Sequence, residues 1–305
     1  MEREIEFWSN GDVCRGVLKL PKNIKGKVPL AVMAGGWCYV KEIVMPYYAQ
    51  PLLDAGIGVL MFDYRGMGGS GGARRQHINP WEQVEDYKNA LTFAESLSEV
   101  DTARLGVWGI SYSGGHVLIV GATDPRAKFI IGTVPVVDGF TTLRRCHGEA
   151  RFALLQQLVM SDRRKRFETK SGGDFMPMSS AKPFEELSTW PFPHVKQIFE
   201  DIKKREAPLH EHYNTIESTE HLLSYNVAPY AQRIYDTPVL LAIAAGDNIT
   251  SSDLETDAFN MIPNPNKELA IIKGVTHMSL YSNEDHLKMV GTIHATWLKK
   301  IVFPS

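Results

Sequence analysis

Three residues in this chain have the types and the placement to do acyl chemistry: Ser111, Asp247 and His277. Ser111 sits in Gly109-Ile110-Ser111-Tyr112-Ser113-Gly114-Gly115, between the apolar run Leu105-Gly106-Val107-Trp108 and a second run, His116 to Ala122. The first run reads as a buried strand and the second as the start of a helix. A serine among small residues at a strand-to-helix corner presents its hydroxyl at the edge of a sheet as a nucleophile for a carbonyl carbon. The flanking glycines let the backbone bend there and let the helix pack close.

Such a serine needs a base, and the base needs an orienting acid. Asp247 follows the apolar run Val239–Ala244 through Ala245-Gly246, and His277 follows Leu269–Ile272 through Lys273-Gly274-Val275-Thr276. Serine, acid and histidine therefore come in that chain order, each just beyond a strand. Ser113, between Ser111 and Gly115, is the competing nucleophile, with packing or backbone hydrogen bonding as its expected role. Asp138, closing the run Phe129–Val137, is the competing acid. The oxyanion of a tetrahedral intermediate needs two backbone N–H donors. Tyr112 supplies one and Trp37, in Gly35-Gly36-Trp37-Cys38-Tyr39, supplies the other. Gly36, Tyr39, Trp190 and Phe192 are the expected pocket residues. His147, His194, His210, His212 and His221 follow no strand and are expected at the surface or against substrate.

The elements that must position these residues alternate between strand and helix. Ile5–Trp8 and Val13–Leu20 flank Asn10-Gly11 and predict a hairpin. Leu30–Ala34 and Gly58–Phe62 predict buried strands, separated by a helix over Val44–Ala55 that Gly56 closes. Asn79 and Pro80 predict the cap and first turn of a helix reaching about Leu97. A further strand spans Phe129–Val137, and Asp285–Ile301 predicts a C-terminal helix. This alternation means an α/β fold with a mostly parallel sheet and helices on both faces. The glycine-rich loop Asp63–Ser70 lacks the Lys-Ser/Thr of a phosphate-binding loop and is expected as scaffold, held through Asp63 and Arg65. Across residues 140–235 the strand signal lapses, and charge clusters such as Arg163-Arg164-Lys165-Arg166 alternate with aromatics. That segment predicts a mainly helical cap inserted into a core made of residues 1–139 and 236–305.

Composition excludes several classes. The chain has 305 residues, a formal net charge of −2 and no long basic run, so neither nucleic acid nor a membrane is expected as a partner. Cys14, Cys38 and Cys146 are widely spaced with no CxxC, which supports neither a disulfide framework nor a zinc site. The amino-terminal Met1–Phe7 is charged from its second residue and lacks the apolar core of a secretory signal. A soluble, cytoplasmic protein is the expectation, with no metal and no organic cofactor. A small-molecule acyl substrate is the expected partner; a homodimer is compatible with the sequence, which does not fix the oligomeric state.

At these motifs the chain resembles the α/β-hydrolases, in the branch shared by dienelactone-hydrolase-like proteins and Xaa-Pro-peptidase-like acyl hydrolases. The similarity rests on Gly109–Gly115, on Phe62-Asp63-Tyr64-Arg65-Gly66-Met67-Gly68-Gly69-Ser70, and on Gly274-Val275-Thr276-His277-Met278-Ser279-Leu280-Tyr281. It covers about residues 1–140 and 235–305. The 140–235 segment is loosely similar to the helical insert of polyketide-pathway hydrolases and acyltransferases. Relatives usually carry His-Gly where this chain has Gly35-Gly36, a departure that bears on the oxyanion loop and not on the three catalytic candidates. The resemblance implies the α/β-hydrolase fold and cleavage of esters, thioesters, lactones, amides or C–C bonds. The expected function is a serine hydrolase that cleaves a carboxylic ester or thioester through an acyl-enzyme, losing activity on the acid side as His277 protonates. The alternatives are an acyltransferase using the same triad, a C–C hydrolase of the β-diketone type, and a non-catalytic receptor on this fold.

Overall fold

The computed structural model describes residues 1–22 and 26–304. Asn10 and Gly11 both take positive φ, 49° and 96°, the twist a two-residue hairpin turn requires. They join β1 (Glu2–Ser9) to β2 (Asp12–Lys19), paired antiparallel. β3 (Val28–Ala34) and β4 (Gly58–Phe62) are buried at every residue, as continuous apolar runs are when a sheet is covered on both faces. α1 (Met45–Asp54) connects them and Gly56, at φ 85°, ends the turn after it. Asn79 accepts a hydrogen bond from the Trp81 amide and so caps α2 (Pro80–Glu95).

β5 (Val100–Ile110), α3 (Tyr112–Thr123), β6 (Ile130–Thr133), β9 (Val239–Ala244), α8 (Ser252–Met261), β10 (Lys267–Ile272), the single turn α9 (Ser279–Ser282) and α10 (Glu284–Val302) complete the core. The eight-stranded sheet has the order β1-β2-β4-β3-β5-β6-β9-β10. Every pair from β4 to β10 is parallel, while β2 meets β4 antiparallel. α1 packs on α10, and α2 packs on α3. From β3 the chain moves outward to β4 and then returns to the other side of β3 with β5. The sheet therefore has its topological switch point between β3 and β5, where a crevice opens beyond the carboxyl ends of the strands. The Gly35–Tyr39 loop and Ser111 occupy those two strand ends.

β6 is shorter than the apolar run Phe129–Val137 suggests. Its ladder ends at Thr133, because Val134 turns to φ 39° and the following Pro135 has no amide to donate. Val136 leaves the ladder and donates to the Ser111 carbonyl instead, at 3.0 Å. These residues are apolar because they pack beneath the serine corner.

Between β6 and β9 the chain forms α4 (Gly139–Thr169), α5 (Pro193–Arg205), α6 (Ile216–Leu223) and the single turn α7 (Ala228–Ala231). α4 is broken at Gly148, φ 68° and ψ 163°. The segment also contains an antiparallel pair, β7 (Phe175–Pro177) with β8 (Tyr213–Thr215). Strands of three residues carry too little alternation to show in a sequence. Within the charge cluster, Arg163, Arg164 and Lys165 face solvent. The half-buried Arg166 bonds to Asp162 at 2.8 Å and Glu217 at 3.0 Å and, with the exposed Arg163–Glu220 pair, ties α4 to α6. In the core, the buried Asp63 carboxylate accepts from the amides of Lys41 and Gly69, and Arg65 pairs with the buried Asp86, so both residues hold their loop. No described helix is long and apolar enough to cross a membrane.

Candidate active site

Ser111 lies between the last residue of β5 and the first of α3 at φ 58°, ψ −119°. A non-glycine residue holds such a conformation only when its surroundings enforce it. Here its amide donates to Thr133 O at 2.8 Å while its carbonyl accepts from Val136. Gly109 permits the bend, since a Cβ there would lie 2.3 Å from the Ser113 carbonyl oxygen. Ser113 points inward. Its hydroxyl accepts from the Ile110 amide and donates to Ala34 O, both at 2.8 Å, stitching β5 to β3.

His277 Nε2 lies 3.2 Å from Ser111 Oγ, and His277 Nδ1 lies 2.8 Å from Asp247 Oδ2. The other oxygen, Asp247 Oδ1, accepts the amides of Ile249 and Thr250, each at 2.8 Å. Burial pushes the Asp247 carboxyl upward. The facing His277 and the Ile249 and Thr250 donors outweigh that and hold it below the ordinary carboxylate range. The imidazole stacks on Tyr281 at 5.7 Å with 15° between planes, which fixes its tilt toward the serine. Ser111 and His277 are nearly enclosed, at 6% and 2% exposure. The structure thus brings Ser111, Asp247 and His277 together. Asp138 stands apart, its carboxylate taken by the amide and hydroxyl of Thr141 at the start of α4.

The Trp37 amide donates to no protein acceptor among the described residues. Tyr112, first in α3, has an N–H with no intrahelical acceptor. Neither amide is therefore committed to a protein acceptor among the described residues. Gly36 presses against the serine, and a Cβ on it would sit 3.0 Å from Ser111 Cβ and 3.1 Å from Ile110 O. The space over Gly35 is filled by the Tyr39 ring, 1.7 Å from where a Cβ would stand, so the Gly-Gly pair and Tyr39 form one packed unit. We expect Gly36→Ala to lower kcat about 10- to 100-fold by displacing Ser111 a few tenths of an ångström, with the melting temperature nearly unchanged. Wild-type turnover in that variant would show that the close approach is dispensable.

A chamber over Ser111 and His277 is walled by Trp37, Tyr39 and Tyr281 from the core and by Met178, Trp190, Val195 and Phe199 from the inserted segment. Ile249 and Met278 complete it. Phe192, expected in the pocket, does not line this chamber. It precedes α5, half-buried, with its ring against His194, because α5 turns Val195 and Phe199, four residues apart, toward the site. The expectation for the histidines also needs correction. His147 and His210 are buried, and His210 donates to the Cys38 carbonyl at 2.9 Å, joining the segment between β6 and β9 to the Gly35–Tyr39 loop. Trp37 Nε1 makes a second such joint, to Asn214 at 2.9 Å. Of the described residues, only His77, Glu217 and His221 cluster with metal-ligand character. Arg74 and Arg166 already neutralise that glutamate, and His77 is bonded through both ring nitrogens.

Sequence reasoning missed Met178 and Ile249, which lie outside the helices and strands, Val195 and Phe199, whose four-residue spacing on α5 was the available signal, and Thr250 and Glu255 behind the acid. A strained serine at the switch point of a parallel sheet, facing a histidine and a buried aspartate, defines an α/β-hydrolase. The chain matches the X-Pro dipeptidyl-peptidase (S15) family model over residues 10–279 and belongs to that family. It is 28% identical over 272 residues to Thiohydrolase aneE of Aspergillus aculeatus, covering 87% of this chain and 83% of that protein. It is also 28% identical over 288 residues to Polyketide transferase af380 of Aspergillus fumigatus, covering 93% and 94%. The α/β hydrolase GrgF from a Penicillium species superposes with a TM-score of 0.81 at 21% identity, covering 99% of both chains.

Proposed function

We propose that this protein hydrolyses an ester or thioester of a neutral, apolar acyl group through an acyl-enzyme on Ser111, beneath a cap formed by residues 140–235. The chamber lining carries the substrate reading: apart from His277, it has no ionisable side chain except the tyrosines and no carboxylate or cation. Asp247 holds His277 with Nδ1 protonated and Nε2 free to take the serine proton as Oγ attacks. The developing oxyanion settles on the amides of Tyr112 and Trp37. His277 returns the proton to the leaving thiol or alcohol, and water then repeats the sequence to release the acid. The chemistry falls to these side chains and amides.

The family's name denotes release of dipeptides, whose free ammonium end needs an anion beside it, since an unpaired buried charge is costly. The chamber offers none. Medium-chain acyl thioesters and p-nitrophenyl esters should therefore be turned over, while Xaa-Pro arylamides with a free amino terminus react at least ~100-fold more slowly in kcat/KM. Efficient dipeptide release would sink this reading. Acyl transfer is the second reading, favoured by the enclosure of Ser111 and His277 and by similarity to a protein named a polyketide transferase. Adding an alcohol or amine acceptor separates the two: a transfer product that outcompetes hydrolysis establishes it.

A further inference from the structure

Behind the acid of the site lies a second carboxyl group. Glu255, on α8, and Thr250 are fully buried. Thr250 Oγ1 lies 2.8 Å from Asp247 Oδ2, 2.7 Å from Glu255 Oε1 and 3.2 Å from His277 Nδ1. The hydroxyl has one proton and faces two carboxyl groups. If both were ionised, one oxygen–oxygen contact below 3 Å would contain no proton, so one of the two is an acid.

Asp247 is the one equipped to stay charged, with two amide donors and His277. Glu255 has no such support. Its Oε2 is buried without a hydrogen-bond partner among the described residues, and the charges acting on it, Asp247 and Asp253, are both negative. Arg145 of α4, the partner of Asp253, is spent on that residue at the surface. α4 also brings the half-buried Cys146 thiol near Asp247, and desolvation pushes that thiol up to about 12, so it stays neutral.

We propose that Glu255 is a positioning residue held as the neutral acid: it donates its proton to Thr250 Oγ1, which commits the Thr250 proton to Asp247 Oδ2 and keeps a single negative charge behind His277. The inference rests on the reading of Ser111, His277 and Asp247 as the catalytic triad. The relay has one direction, from Glu255 to Thr250 to Asp247. It leaves His277 Nδ1–H as the remaining donor to the aspartate, so the imidazole tautomer is set from both sides. Burial against the two acids also pushes the Glu255 carboxyl well above the usual range, in agreement with the proton count.

The test compares the infrared spectrum of the wild type at pH 7.5 with that of Glu255→Gln. The carbonyl stretch of a buried un-ionised carboxylic acid should be present in the wild type and absent in the variant. No such band in the wild type overturns the proposal. In kinetics, Glu255→Leu, which lacks a donor, should lower kcat about 3- to 10-fold with KM within about twofold. Glu255→Gln, whose amide can still donate to Thr250, should recover most of that loss and keep the acid limb of the rate profile in place. An acid limb displaced by about a pH unit in Glu255→Gln would mean that a charge had been removed, and wild-type kcat in a folded Glu255→Leu would remove the positioning role. Failure of the hydrolase reading shows separately, as absence of fluorophosphonate labelling at Ser111, and leaves the infrared band untouched.

Discussion

Ser111→Ala should lower kcat about 10⁴- to 10⁶-fold and abolish covalent labelling by a fluorophosphonate, with the melting temperature almost unchanged. Its Oγ faces only the His277 ring, at 3.2 Å, and the Tyr281 hydroxyl among the described residues, so removing it takes away the proposed nucleophile and little else. His277→Ala should fall to a similar level, since serine without a base is a poor nucleophile at neutral pH. Ser113→Ala should behave in the opposite way. It breaks the contacts to Ile110 and Ala34 and costs about 1–3 kcal/mol of stability for buried groups left unpaired, yet labelling persists. Labelling that survives Ser111→Ala and vanishes in Ser113→Ala would reverse the assignment of the nucleophile.

Acidification from pH 7.5 to 5 should destabilise the fold well before its carboxylates titrate. Burial pushes His116, His210 and His294 down to about 3 in the folded chain. Their hydrogen bonds hold the neutral rings. His294 accepts from Trp108 Nε1 and faces Thr133 Oγ1, both at 3.2 Å. His116 bridges Tyr225 and Gln83, both at 2.9 Å. The unfolded chain takes up protons at these histidines near pH 6.5 while the folded chain does not. Stability from this source is therefore complete above that pH and declines as pH falls toward the folded values. At pH 5 each ring accounts for about 2 kcal/mol, and the three together approach the whole stability of an ordinary domain, roughly 5–15 kcal/mol. Asp247 has its effect in a different window: held low, it contributes stability above the ordinary carboxylate range and loses it only at more acid pH. Urea unfolding at the two pH values measures the decline, and replacing His294 with Asn should flatten the slope by one proton. A midpoint that does not move between pH 7.5 and 5 would refute the argument.

The chain's own pattern makes the sheet and the three candidate catalytic side chains legible for local reasons. A buried strand needs a continuous apolar run, a tight corner needs small residues, and a residue just beyond a strand lands at the carboxyl edge of a parallel sheet wherever that strand is placed. Ser111, Asp247 and His277 satisfy those conditions within a few residues of their own positions. Ser113 meets the same small-residue test, and only its inward rotation at the start of α3 separates it from Ser111. Asp138 meets the strand-end test too, but the chain had already left β6 at Val134, and the carboxylate went to Thr141.

Tertiary structure decided the rest. The walls of the chamber come from α5 and from loops far apart in the chain, so Phe192 and Phe199 look alike in sequence, yet Phe199 lies on the face of α5 turned to the site while Phe192 only precedes that helix. The insertion is fastened by His210 to Cys38 and by Trp37 to Asn214, contacts across more than 170 residues. The proposed neutrality of Glu255 rests on the charges that act on it among the described residues, Asp247 and Asp253, both being negative. The amino-acid sequence by itself determined the α/β framework and the order of serine, acid and base, because these follow from short-range periodicity and backbone geometry. Which acyl group fits above Ser111, and which carboxyl carries the proton behind His277, are set by packing between distant segments, where solvent is excluded and the energy of a charge depends on everything around it.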